Sequence, residues 1–208
     1  MIKEILERKG FYDFEYEINS IKHMVLNYFN LAKPFNLNSS EKDLKLIPLN
    51  ASKESKLKIK ELIEYKKDLV GIHPCHEIKE KNYSKKEFAK VIDFLISAGK
   101  TPVILGSPKE IKQIKELLEL VKEKNKVLNL AGRVPIPETI DLMNYLDFFI
   151  ANDGGIMHIA ASNNLPTLGI FNAETPKKYA PFNRKSFSVL GKENKAEDLI
   201  EIIKEYFL

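Results

Sequence analysis

Residues 152–162, Asn-Asp-Gly-Gly-Ile-Met-His-Ile-Ala-Ala-Ser, set Asp153, two glycines and His158 directly behind the apolar run Phe148-Phe149-Ile150-Ala151. Gly154 and Gly155 leave the backbone open at the start of a helix, so several N–H groups can converge on one anion. A phosphate or diphosphate suits that mouth, and Lys81 can add a point charge. Asp153 would repel a phosphate aimed at it and is better suited to accept from sugar hydroxyls beside the phosphates. His158, one turn into the helix, can donate to a phosphate or buttress the loop. Each residue also has a plainer reading. Gly-Gly is a common tight turn, Asp153 can cap the helix, His158 can be structural, and Lys81 is one lysine among many.

Other chemistry-bearing residues sit in comparable places. Ser107-Pro108-Lys109-Glu110 places a glutamate three residues after a serine, which accounts for Glu110 as half of a capping box whether or not it also meets a ligand. Cys75 and His76 in one loop have the form of a nucleophile–base pair, but neither a third orienting group nor a metal-ligand spacing accompanies them. The chain has no Walker A loop, no G-x-G-x-x-G fingerprint, no zinc spacing and no D-x-D pair to hold a divalent metal on a diphosphate.

These residues need elements to position them. Leu69–His73, Pro102–Leu105, Val127–Leu130, Phe148–Ala151, Pro166–Phe171 and Phe187–Leu190 are short apolar runs with the signature of buried strands. Between them come helical patterns: Ser84-Lys-Lys-Glu87 as a capping box ahead of a helix stopped by Gly99, a second helix opened at Ser107-Pro108, a short one over 137–144, and one over 156–163. An amphipathic helix over 195–207 closes the chain. The alternation predicts an α/β fold with a Rossmann-like, doubly wound parallel sheet, whose ligand crevice lies at the carboxyl ends of the strands. Residues 66–208 form this domain. Residues 1–65 read differently: an aromatic-rich stretch over 11–31, a polar, turn-like stretch over 33–48, and a lysine-rich helix over 53–65. This segment is expected to be a lead-in, or the remnant of an amino-terminal domain.

Bulk composition narrows the class. The 208 residues are 44% hydrophobic and 30% charged, with 33 basic against 29 acidic side chains and a net charge of +4. Those are globular proportions. The basic excess is spread along helices without aromatic interleaving, which argues against nucleic acid. One cysteine excludes an internal disulfide framework and fits a reducing compartment. With no signal peptide and no run approaching roughly 18 apolar residues, the expectation is a cytoplasmic protein.

The combination of motifs resembles a known family. "DGGIMHIAA" behind a strand, followed by "NNLPTLGIFNAETPKKYAPF", is similar to the signature of glycosyltransferase family 9, the ADP-heptose:lipopolysaccharide heptosyltransferases. "VGIHPCHEIKEKNYSKKEFAKVIDFL", "TPVILGSPKEIKQI" and "VLNLAGRVPIPETIDLM" resemble its preceding units in the right order, so the match runs over about residues 69–190. The resemblance implies the carboxyl-terminal, donor-binding half of a GT-B glycosyltransferase that moves a sugar such as heptose from an ADP-sugar to a lipopolysaccharide core or related surface glycan. Asp153 would hold donor-sugar hydroxyls, and Gly154, Gly155 and His158 would surround the diphosphate. Lys81 would meet the phosphates, Glu110 would face the ribose or base edge, and Gly132 would line the adenine pocket. The family's chemistry is metal-independent, so no cofactor is implied beyond the nucleotide-sugar itself.

Three departures stand out. Gly154 replaces a usual hydroxyl residue, Tyr83 a common Trp, and the lysine loop is about a residue longer, so Lys79 competes with Lys81. The family's catalytic base lies in an amino-terminal half, whose joining segment resembles "INSIKHMVLNYFNLAKPFNL". The expectation is therefore that most of that half is missing and that this chain binds donor yet transfers little sugar alone. The alternatives are a non-catalytic nucleotide-binding module completed by a missing domain or partner chain, and an independent small enzyme of another doubly wound family. A lipid-linked acceptor would place the chain at the inner face of the inner membrane, and the aromatics over 11–35 suggest a packing partner such as a second copy.

Overall fold

A computed structural model describes residues 21–30, 40, 44, 46–49, 52–64 and 66–208. The chain forms two compact units, residues 1–44 and 45–208. In the first, helix α1 (Met24–Asn30) buries Asn27 and Asn30. Apart from 21–30, the aromatic-rich stretch over 11–35 lies outside the described residues.

In the second unit the short apolar runs become strands. β1 (Leu69–His73), β2 (Thr101–Ile104), β3 (Leu128–Asn129), β4 (Phe148–Asn152), β5 (Thr167–Phe171) and β6 (Phe187–Leu190) pair throughout in parallel, in the order β3-β2-β1-β4-β5-β6. A parallel sheet is covered on both faces, so both side-chain sets of each strand must be apolar. Val70, Ile72, Phe148, Ile150, Leu168 and Ile170 enter one core; Leu69, Val103, Phe149, Ala151 and Phe171 enter the other.

The helices sort by face. α3 (Lys85–Ser97), α4 (Ile111–Leu118) and α8 (Ala196–Tyr206) pack on the first core through Phe88, Ile92, Leu95, Ile114, Leu117, Leu199 and Ile203. α2 (Lys53–Leu62), α5 (Ile136–Leu142) and α6 (Gly155–Ser162) pack on the second through Ile59, Leu142, Met157 and Ala160. A short helix α7 (Pro176–Tyr179) follows β5. No helix among the described residues is long and apolar enough to cross a membrane.

Three details differ from the sequence expectation. The lysine-rich helix assigned to the lead-in packs with the sheet unit: Ile59 and Ile63 are buried in its core, and Lys58 Nζ meets Glu138 Oε1 of α5 at 3.0 Å. β3 is only two residues long, because Val127 is drawn into a turn by its N–H bond to Lys124 O. The Ser84–Glu87 box does not form. Glu87 instead accepts from the Ala196 N–H at the mouth of α8 (2.7 Å), a partner invisible to local spacing.

Gly71, in the middle of β1, gives a test of the core. A Cβ there would come within 2.4 Å of Phe149 and 2.5 Å of Leu146, both buried. Gly71→Ala should therefore destabilise the protein by about 1–3 kcal/mol through overpacking, read as a lower urea midpoint at unchanged slope.

Candidate functional site

The strand order reverses between β1 and β4. Their following chains leave in opposite directions, β1 through α3 and β4 through α6, which lie on opposite faces of the sheet. That divergence opens a crevice at the carboxyl ends of the strands. A cavity of about 750 Å³ fills it, within the usual size for a small-molecule site. His73 lines it from the end of β1 and His76 from the loop behind it, Gly106, Ser107 and Glu110 from behind β2, Gly132 from behind β3, and Gly154 and Gly155 from behind β4. Val134, Pro135 and Ile136 give one end an apolar wall.

Of the residues singled out in the sequence, Glu110, Gly132, Gly154 and Gly155 meet in this cavity. Gly132 has φ +72°, which favours glycine, and its N–H donates to Gly106 O at 2.8 Å, tying the loops behind β2 and β3 together. Gly154 is the N-cap of α6 with no side chain capping it, and a Cβ at Gly155 would meet nothing within 4 Å. The mouth is open at Gly155, while at Gly154 the His76 ring stands 3.3 Å from where a Cβ would be.

Asp153 does not cap the helix. Its side chain, 6% exposed, takes Lys81 Nζ at 2.7 Å. Lys79, the competing lysine, is exposed in the same turn, Lys79–Lys81. Lys81 and Asp153 thus stand together beside the cavity rather than among its lining residues. His158 is half-buried one turn into α6 and is likewise not a lining residue.

Glu110 is buried at the cavity floor. Its Oε2 accepts from the Ser107 N–H at 2.6 Å, the half of the capping box expected of it, and lies 3.5 Å from His73 Nε2. Burial acts to raise its pKa, but the His73 imidazole and the Ser107 N–H outweigh it and hold the carboxyl down at about 2. Cys75 and His76 do not form a nucleophile–base pair. Cys75 is buried, and burial, with Glu110 adding to it, pushes its thiol up to about 12. His76 Nδ1 is engaged by the Ile78 N–H at 2.9 Å.

Several supporting residues were missed in the sequence. Asn82 grips the lysine loop: its Oδ1 accepts from the His76 N–H (2.8 Å), and its Nδ2 donates to His76 O (2.9 Å) and Ile78 O (3.1 Å). Buried Asn152, at the end of β4, accepts from the Tyr83 N–H (3.0 Å) and donates to Pro74 O (2.6 Å), fixing both ends of that loop beside Asp153. The available signal was a polar residue ending an otherwise apolar strand.

Residues 8–204 match the model of glycosyltransferase family 9 (heptosyltransferase). The chain belongs to this family. Lipooligosaccharide heptosyltransferase 2 of Haemophilus influenzae is 28% identical over 121 residues, covering 57% of this chain and 35% of that protein. The Campylobacter jejuni protein of the same name is 28% identical over 191 residues, covering 89% of this chain and 58% of that protein. The solved Escherichia coli ADP-heptose lps heptosyltransferase II has the same fold, with TM-score 0.78 at 20% identity, over 96% of this chain and 67% of that one. The chain therefore spans between about a third and three fifths of the length of these curated family members.

The low pKa of Glu110 fixes a sign. A carboxylate that titrates lower when folded contributes stability that is present above the unfolded value of 4.5 and lost as pH falls toward about 2. Urea midpoints followed from pH 6 down to pH 2.5 should fall in the wild type, with a contribution on the order of 3 kcal/mol from this group. In Glu110→Gln that part of the pH dependence should be missing.

Proposed function

We propose that this chain supplies the donor-binding half of a heptosyltransferase-type glycosyltransferase, taking an ADP-activated sugar, heptose among the candidates, for transfer to a lipopolysaccharide core or related surface glycan. The carrying observation is the open mouth of α6 at Gly154–Gly155, facing a cavity at the strand-order reversal, with the Lys81–Asp153 pair beside it. The names of the family members support the substrate class: lipooligosaccharide heptosyltransferase 2, and an ADP-heptose lps heptosyltransferase II of the same fold.

In this reading the diphosphate sits at the helix mouth, held by backbone N–H groups and the positive end of the helix dipole. Lys81 swings from Asp153 onto a phosphate, and Asp153, released, accepts from hydroxyls of the donor sugar. The adenine lies against Val134, Pro135 and Ile136 near Gly132, with Glu110 toward the ribose. As the bond from the sugar's anomeric carbon to the diphosphate oxygen breaks, negative charge grows on the leaving group. The helix mouth and Lys81 are placed to stabilise it. His158 buttresses the α6 turn behind the phosphates. The acceptor, a lipid-linked glycan, would meet this donor side at the cytoplasmic membrane surface.

Binding measurements test this directly. ADP and an ADP-sugar should raise the melting temperature, by an amount equivalent to roughly 2.7 kcal/mol at a hundredfold excess over Kd, while UDP and GDP counterparts leave it nearly unchanged. In Asp153→Asn, ADP binding should persist but the added affinity for the sugar-bearing donor should vanish. A chain indifferent to all adenine nucleotides would sink the reading.

A further inference from the structure

His76 lines the cavity but has no part in that reading. Its ring occupies the space beside Gly154, where a Cβ would come within 3.3 Å of His76 Cδ2 and 3.8 Å of Nε2. Gly154 has φ −178°, an extended conformation open to any residue, so its backbone does not demand glycine. What glycine provides there is room, and the imidazole takes it.

The ring is also held in a defined orientation. The His76 backbone is gripped on both sides by Asn82, and Nδ1 accepts the Ile78 N–H. With Nδ1 engaged as acceptor, the proton of the neutral ring belongs on Nε2, the edge beside Gly154. Burial, and next the Lys81 charge, hold the imidazole below its ordinary pKa, so this neutral form prevails at physiological pH. The mouth of α6 therefore carries a fixed, uncharged N–H donor from the β1 loop, beside a residue that has no side chain of its own.

We propose that His76 is a donor-binding residue whose Nε2–H donates to a phosphate oxygen of the nucleotide-sugar at the Gly154–Gly155 mouth, supplying the contact that residue 154 lacks. This rests on the donor-binding reading above. It also couples positions 76 and 154, since a Cβ at 154 would stand 3.3 Å from His76 Cδ2 and the imidazole would have to give.

The test is ADP affinity by calorimetry on the whole 208-residue chain, with ligand-free melting recorded for every variant. His76→Ala should weaken ADP by about tenfold or more, the usual effect of losing a hydrogen bond to a charged group. His76→Gln, which can return an N–H to the same place, should stay within about threefold of wild type. Gly154→Ser alone should weaken binding, because its Cβ presses on the ring, whereas His76→Ala/Gly154→Ser should recover most of the loss. That recovery is a coupling a merely structural histidine would not produce. Folded His76→Ala binding ADP as wild type does, or single effects that simply add in the double variant, would overturn the role of His76 and leave the donor-binding reading standing. Wild type that binds no adenine nucleotide overturns both.

Discussion

Everything at the site follows from one topological constraint. Right-handed crossovers oblige the chain leaving β1 toward β2 and the chain leaving β4 toward β5 to depart over opposite faces of the sheet. β1 and β4 are hydrogen-bonded neighbours from Val70–Phe148 to His73–Ala151, yet the segments beyond them diverge at once. A gap at that seam is therefore unavoidable. In this strand order the crevice accompanies the burial of Phe148 and Ile150 on one face and Phe149 on the other.

The crevice becomes a site because polar side chains at strand ends brace the loops around it. Asn152 reaches Pro74 and Tyr83, Asn82 closes the turn holding His76, and the Gly132–Gly106 bond draws the loops behind β2 and β3 together. None of these contacts buries much apolar area. Their value is positional, since a binding group must be held close to its working geometry before the ligand arrives.

Much of this was legible in the sequence, and the reason is periodicity. Strand runs and helical spacing are local signals, so the parallel α/β architecture and the crevice loops could be read from them. Gly154 and Gly155 could be placed at the crevice because they follow an apolar strand, where the crevice loops begin. What escaped was non-local. Asn152 acts across 69 and 78 residues to reach Tyr83 and Pro74, and Glu87 accepts from the Ala196 N–H, 109 residues away, as well as pairing with Lys90 of its own helix. The choice between Lys79 and Lys81 turned on which one the turn aims inward. The fate of α2 depended on Ile59 and Ile63 finding a core that the segment itself does not contain.

The Lys81–Asp153 contact also sets the charge that the crevice presents. At 2.7 Å and largely out of solvent, the two charges largely cancel, so attraction for an anion there comes from the α6 mouth rather than from a bare lysine. A ligand that draws the ammonium away leaves the Asp153 side chain, only 6% exposed, without that partner, a costly state. A phosphate that arrives with hydroxyls attached brings the replacement donors with it. On the proposed reading, a ligand that also supplies hydroxyl donors to Asp153 offsets that cost, and one without them does not.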